Sequence, residues 1–282
     1  MSLPIKVDLS GKVAVVTGAG GVICGAMAKA LAESGAKVAV LDLNLEAAQK
    51  VADEITAAGG TAGAFTANVL EKESLAACHE KVLAELGPCD ILVNGAGGNH
   101  PKAQTTKEYY EVGDIDADTV SFFDLDQNGV QFVFNLNIIG TLLPTQEFAK
   151  DMVGGKGGNI LNVSSMNAYT PLTKIPAYSS AKAGVSNLTQ WLAVHFSKVG
   201  IRVNAIAPGF LLTNQNRGLL LNEDGSPTPR TEKILAATPM DRMVAPEELL
   251  GGTLFLVSDE AASAITGVVL PIDAGFSSYA GV

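Results

Sequence analysis

The sequence predicts a single-domain α/β fold, a doubly wound parallel sheet with helices on both faces. Three observations predict it. Short β-branched runs alternate with longer Ala-rich stretches of helical period, the pattern of repeated βαβ units. A glycine cluster from Thr17 to Gly25 stands directly between the first such run and the first helical stretch. The 282 residues, 47% of them hydrophobic, contain no repeat, low-complexity tract or linker, so one large core over residues 1–282 is expected.

Taken in order, the Val-rich run 13–17 is the first strand, and the Ala-rich stretch from Val22 is the first helix. Strand 37–42 follows, then a helix from Leu45, strand 61–67, a helix from Lys72 and strand 91–94. The second half carries a helix from Gln131, strand 159–164, a helix from Ala177, strand 202–207, a helix at Pro246 and strand 268–272. Pro246 suits a first helical turn, where its missing N–H is harmless. Two segments break the alternation. Residues 98–128 and 212–242 are rich in Pro, Asn, Asp, Gly and Thr, and loops this long in compact domains usually serve function. Both are read as substrate-side excursions.

Composition excludes several classes. A formal charge of -10 opposes binding to phosphate backbones, and no basic stripe offsets it. Three cysteines, Cys24, Cys78 and Cys89, give neither a disulfide framework nor zinc-ligand spacing. Residues 1–8 lack the apolar core of a signal peptide, and no run of about 18 uncharged apolar residues occurs. A soluble protein of the reducing cytoplasm, with no membrane or nucleic-acid partner and no metal, is expected.

The chemistry concentrates at two places. Tyr178 and Lys182 are four apart on an expected helix, so both side chains share one face. A neighbouring ammonium favours phenolate, which would let the tyrosine exchange protons near neutral pH; Ser165 would hold the substrate oxygen. A solvated Tyr and Lys on an amphipathic helix is the bland alternative. At the other place, the glycines after strand 13–17 let the backbone approach a pyrophosphate, and the helix start supplies free N–H groups. Strand 37–42 ends at Asp42, where a carboxylate accepts from both ribose hydroxyls of adenosine and repels a 2′-phosphate. No Arg or Lys follows closely, which favours NAD over NADP; Asp42 as a plain turn residue or helix cap is the alternative.

Together these residues resemble the short-chain dehydrogenase/reductase family over nearly the whole sequence. Thr17 and Gly18 match its glycine motif, Asn68-Val69 its adenine-contacting pair, and Asn94-Gly95-Ala96-Gly97 its Asn-Asn-Ala-Gly turn. Asn137, Ser165, Tyr178 and Lys182 match its catalytic tetrad, and Pro208-Gly209 with Thr213 its nicotinamide segment. The resemblance implies a Rossmann-type fold and hydride transfer with a nicotinamide cofactor. It assigns proton exchange to Tyr178, substrate polarisation to Ser165, and cofactor ribose binding with lowering of the phenol pKa to Lys182. Asn137 would anchor a relay water. Cofactor contacts are implied for Gly18, Gly20, Gly21, Val22, Ile23, Asp42, Leu43, Asn68, Val69, Asn94, Ala96, Gly97, Tyr178, Lys182, Pro208, Gly209, Leu211 and Thr213. Two positions depart from the pattern. Val22 and Cys24 stand where the motif has its second and third glycines, and Cys24 is read as a packed small hydrophobe rather than a redox thiol.

A narrower resemblance, to D-mannonate oxidoreductases of the same family, lies in residues 94–101, 123–126, 165–168, 172–178, 190–210 and 221–230. It implies interconversion of D-fructuronate and D-mannonate with NAD(H). A reductase of another ketogluconate, polyol or hydroxy acid is the alternative, and a non-catalytic nucleotide-binding module is a third reading. A sugar acid needs a cation for its carboxylate; His100, Lys174, Arg217 and Arg230, with Lys102, are candidates, and Asn99, Asn167 and Gln215 suit sugar hydroxyls. Asp124-Leu125-Asp126-Gln127-Asn128-Gly129 imitates half a calcium loop, but the twelfth position is Asn135, which supplies no bidentate carboxylate. Asp126 is read instead as a helix cap. The family resemblance further implies a homodimer or homotetramer paired through the helices bearing Asn137 and Tyr178.

Overall fold

The computed structural model describes residues 7–155, 157–212 and 217–281, with Leu219 described by its main chain alone. The strands are β1 (Val13–Thr17), β2 (Lys37–Asp42), β3 (Thr61–Thr66), β4 (Ile91–Asn94), β5 (Gly158–Val163), β6 (Ile201–Pro208) and β7 (Val269–Ile272). They pair in parallel in the order β3-β2-β1-β4-β5-β6-β7. Ends expected at Ala67, Asn159, Ser164, Arg202, Ala207 and Val268 differ from these by one residue. Around the sheet lie α1 (Val22–Glu33), α2 (Leu45–Ala57), α3 (Lys72–Glu85), α4 (Gln127–Phe134), α5 (Gly140–Phe148), α6 (Pro176–His195), α7 (Arg217–Leu220), α8 (Pro229–Ala236) and α9 (Glu248–Val257).

Successive strand side chains point to opposite faces, and β1 shows the result. Ala14 and Val16 join Met27, Leu31, Leu249 and Leu256 in one core. Val13 and Val15 join Leu75, Val82, Phe148 and Leu192 in the other. Both faces of the sheet are therefore covered, which is why its strands read as continuous apolar runs. No helix among the described residues is long and apolar enough to cross a membrane.

Two expectations need correction. The helix expected from Gln131 begins at Gln127, because Asp126 caps it by accepting from the Gly129 N–H at 2.7 Å; Gly129, a poor helix former, hides that start in the sequence. The excursion 212–242 is not a plain loop, since it contains α7 and α8. Thr228 caps α8 with Pro229 in its first turn, but a helix of eight residues shows too few periods to read. The first excursion is built from 3₁₀ turns, one closed by a capping box in which Asp124 accepts from the Ser121 N–H and hydroxyl.

α3 is pinned to α5 and the turn after it through His79. Its Nδ1 lies 2.9 Å from Glu147 Oε1 and its Nε2 2.9 Å from Asp151 Oδ2, beside the Phe148 ring. Burial acts to lower the His79 pKa, but the bonds to Glu147 and Asp151 outweigh it and the net shift is upward. A raised folded pKa stabilises fully below the unfolded value of about 6.5, and the contribution is lost as pH rises through the folded pKa. His79→Gln is therefore expected to cost about 3 kcal/mol at acid pH, with the gap narrowing above neutrality. Denaturant melts of both proteins at acid and alkaline pH check this; a gap independent of pH would remove the imidazolium from the account.

Candidate active site

The sheet order reverses between β1 and β4, and at such a switch point the helices leave in opposite directions and open a crevice at the carboxyl ends of the strands. Thr17 spans it. Its Oγ1 accepts from the Gly95 N–H at 3.1 Å and the Ala96 N–H at 3.2 Å. Gly18 follows at φ 66°, and a Cβ there would stand 2.9 Å from Ala96 Cα, so only glycine fits. Gly21 caps α1 with extended backbone and no side-chain hydrogen bond, leaving the α1 start, with Val22 and Ile23 in its first turn, facing the crevice.

Of the two departures in the glycine motif, Val22 is exposed at the helix start, and Cys24 has a packing explanation. Cys24 is buried, and a Cβ on Gly95 would collide with its sulfur; the thiol fills the notch that Gly95 leaves open. Burial pushes the Cys24 thiol up to about 12, far from a reactive thiolate.

Asp42 is fixed by two main-chain donors: the Gly20 N–H at 3.0 Å from Oδ2 and the Asn44 N–H at 2.9 Å from Oδ1. A carboxylate offers about four acceptor sites, so capacity for two further donors remains. The cap of α2 is Asn44, which accepts from the Glu46 and Ala47 N–H groups. The crevice is a cavity of about 840 Å³, lined among others by Gly18, Asp42, Leu43, Asn68, Val69 and Gly97. Asn68 is engaged by its own turn, donating to Glu71 Oε1 at 2.8 Å and accepting from the Leu70 N–H. Asn94 is turned away from this cavity: its amide donates to Thr145 Oγ1 and Asn162 Oδ1, both at 2.9 Å. Its place is behind the crevice wall formed by Gly95, Ala96 and Gly97.

The tetrad residues converge at the far end. Ser165 stands two residues beyond β5 and caps a 3₁₀ turn, its Oγ accepting from the Asn167 N–H at 3.3 Å. Lys182 is buried, and Nζ donates to the Val163 carbonyl at 2.8 Å. A Cβ on Gly97 would lie 3.1 Å from that Nζ and 2.8 Å from Asn137 Oδ1, so glycine keeps this junction open. Asn137 occupies a π-helical segment, Asn135–Ile139, between α4 and α5, an arrangement frequent at functional sites. Its amide donates to the Gly98 and Val133 carbonyls, both at 2.8 Å, and Thr141 Oγ1 donates to its carbonyl at 2.8 Å.

The electrostatics correct one expectation. Burial pushes the Tyr178 phenol up to about 12, and the Ser165 hydroxyl only partly opposes it. Lys182 does not reverse this. Its Nζ is 5.7 Å from the centre of the Tyr178 ring and is itself pushed down to about 8 by burial. Desolvation disfavours the charged form of each residue, and the four-residue spacing by itself said nothing of burial.

Residues 12–224 match the short chain dehydrogenase family. The chain belongs to that family. An uncharacterised oxidoreductase of Haemophilus influenzae is 57% identical over 100% of this short-chain dehydrogenase and 99% of its own length. The uncharacterised oxidoreductase UxuB of Bacillus subtilis is 50% identical over 99% of this sequence and 100% of its own. A crystal structure from Haemophilus influenzae, provisionally named a D-mannonate oxidoreductase and solved with NAD bound, superposes with a TM-score of 0.94 at 56% identity, covering all of both proteins. The fold is thus the Rossmann-type sheet of the short-chain dehydrogenases.

The remaining expected residues of this dehydrogenase scatter. Pro208 ends β6, and Gly209 packs so closely that a Cβ would lie 2.5 Å from Asp273 Cα; Leu211 is buried beyond it. Thr213 and Gln215 lie outside the described residues. Asn99 is exposed. His100 is committed to its own turn, Nδ1 accepting from the Lys102 N–H at 3.2 Å with the ring against Phe132. Arg217 opens α7 and Arg230 lies on α8, both exposed. Asn167 and Lys174 line a second cavity of about 550 Å³ with Thr105, and the buried Asn167 Oδ1 has no hydrogen-bond partner. Glu108 and Lys233, which pair across the excursions, were not expected; 125 residues apart, they carry no sequence signal.

Lys182 has a folded pKa below its unfolded value of about 10.4, so the unfolded state binds that proton more tightly and stability rises with pH through this range. Lys182→Met is expected to raise the melting temperature of the cofactor-free protein by about 2–4 °C at pH 7, the gain shrinking toward pH 10. Calorimetric melts across that range check it, and a fall at pH 7 would contradict the burial cost.

Proposed function

We propose that this short-chain dehydrogenase interconverts D-fructuronate and D-mannonate with NAD(H). The observation that carries the cofactor half is Asp42, clamped by Gly20 and Asn44 with acceptor capacity to spare. A Cβ on Gly18 would collide with Ala96 and one on Gly20 with Ala47 and the Asp42 carboxylate, so both positions stay bare backbone, which suits a pyrophosphate. The substrate half is supported by likeness, at full coverage, to the Haemophilus protein provisionally named for D-mannonate. A reductase of another keto sugar acid shares every other feature, and the intact tetrad argues against a non-catalytic module.

NAD would lie between Asp42 and Lys182. Gly18, Gly20, Gly21, Val22 and Ile23 would hold the pyrophosphate, Leu43, Asn68 and Val69 the adenine, and Ala96 and Gly97, with Pro208, Gly209 and Leu211, the nicotinamide. Asn94 acts on the crevice wall from behind rather than by contact. When bound, the nicotinamide exchanges a hydride with the substrate carbon.

In reduction, Ser165 Oγ donates to the ketone oxygen and Tyr178 gives that oxygen its proton, completing the alcohol. The phenolate left behind is stabilised by the Lys182 ammonium and reprotonated from solvent past Asn137. In oxidation Tyr178 must start as phenolate. Its upward pKa keeps it protonated at neutral pH, so the resident state is ready for reduction. Turnover of D-mannonate is therefore expected to rise with pH from 6 toward 8, while D-fructuronate reduction stays level; paired initial-rate profiles check this.

The identifying experiment is oxidation of NADH, followed at 340 nm, with D-fructuronate, D-tagaturonate and 5-ketogluconate, repeated with NADPH. Preference for D-fructuronate with NADH is expected. Tyr178→Phe should lower turnover by about 10²-fold or more with NADH still bound; equal rates on all three ketones, or a preference for NADPH, would contradict the proposal.

A further inference from the structure

A protein with a formal charge of -10 repels an anionic sugar unless a local positive field offsets it. Cations of α8 can supply one. α8 presents Arg230 and Lys233 three residues apart, hence on one face. Lys233 Nζ reaches the first excursion and pairs with Glu108 Oε1 at 3.0 Å. That excursion is tied in turn to the segment between Ser165 and Tyr178, where the Thr105 N–H donates to the Lys174 carbonyl at 2.9 Å. Lys174 holds φ 71°, a left-handed conformation unusual for a side chain of its kind, and lines the 550 Å³ cavity together with Asn167.

Lys233 thus ties α8 to a carboxylate of the first excursion, and the Thr105–Lys174 main-chain bond ties that excursion to the cavity. Lys174 and Arg230 both act electrostatically on Glu108, and among the described residues neither has an ion-pair partner of its own. The arrangement resembles a carboxylate site held by a carboxylate of the protein itself.

We propose that Lys174, Arg230 and Lys233 receive the carboxylate of the substrate, and that Glu108 is a resident competitor which occupies them when no acid is bound. This rests on the sugar-acid reading above and names the residues that would enforce it. The Glu108–Lys233 pair suits exchange: the Lys233 side chain is 70% exposed, and pairs so exposed hold weakly. An incoming carboxylate can take Arg230 in bidentate fashion and release Glu108 to water. The unsatisfied Asn167 Oδ1 would accept from a sugar hydroxyl in the cavity that Lys174 lines. A neutral polyol would gain nothing from the cations and leave Glu108 in place.

The test is calorimetric titration of the NADH-loaded protein with D-mannonate, D-gluconate and the neutral D-mannitol, where no turnover interferes. Arg230→Met and Lys174→Met are expected to weaken acid binding about tenfold or more without changing NADH affinity. Glu108→Gln is expected to tighten it severalfold, a gain that misfolding does not produce. Acid binding unchanged in both cation variants, no tightening in Glu108→Gln, or mannitol bound as well as the acids would overturn the proposal. If D-gluconate binds with this dependence and D-mannonate does not, the mannonate reading falls and the cation site stands. If neither acid binds the parent protein, both fall.

Discussion

The parting of the backbone between β1 and β4 is the constraint on which the rest of the molecule depends. Helices on both faces go with it: α1, α2 and α9 cover one side of the sheet, and α3, α5 and α6 cover the other. The parted ends must still be held at a fixed distance. Thr17 does this from one side of the crevice with two main-chain donors from the other. Gly18 and Gly95 then have no room for side chains: one faces Ala96, the other the Cys24 sulfur. The presence of Cys24 in the glycine motif and the glycine at position 95 are two halves of one contact.

Held open in this way, the crevice places Asp42 at one end and a buried Lys182 at the other. The two ends differ in how they treat charge. Asp42 is wet at its rim and satisfied by backbone N–H groups, whereas Lys182 and Tyr178 sit where desolvation pushes both toward neutrality. Perturbed groups at a cleft are a mark of function, and the perturbation costs stability that the two apolar cores must offset. The π-helical turn at Asn137 belongs to the same arrangement, since it brings an amide to the Gly98 carbonyl beside the Lys182 ammonium.

Much of this was legible in the residues. The strands were readable because burial on both faces makes continuous apolar runs, and the closeness of Tyr178 to Lys182 because four residues is about one helical turn. Cys24 was rightly read as packing. What failed was whatever depends on burial or on distant partners. The Tyr178–Lys182 spacing announced proximity on a helix but not the desolvation that reverses the expected phenol shift. Asn94 and His100 look like site residues in sequence, yet buried amides and local turns absorb them. α8 is too short to show a period, and without it the approach of Lys233 to Glu108 has no trace in the sequence.

We propose that a hydride passes between a nicotinamide bound along this crevice and a sugar-acid carbon held at Ser165 and Tyr178. The most direct measurement uses NADH deuterated at the nicotinamide C4, one stereoisomer at a time, with D-fructuronate, and locates the label in the product by mass spectrometry and proton NMR. Deuterium is expected on the new carbinol carbon of D-mannonate from one of the two stereoisomers and none from the other. Bound NADH with no label in any sugar acid, or label arising equally from both stereoisomers, would contradict it.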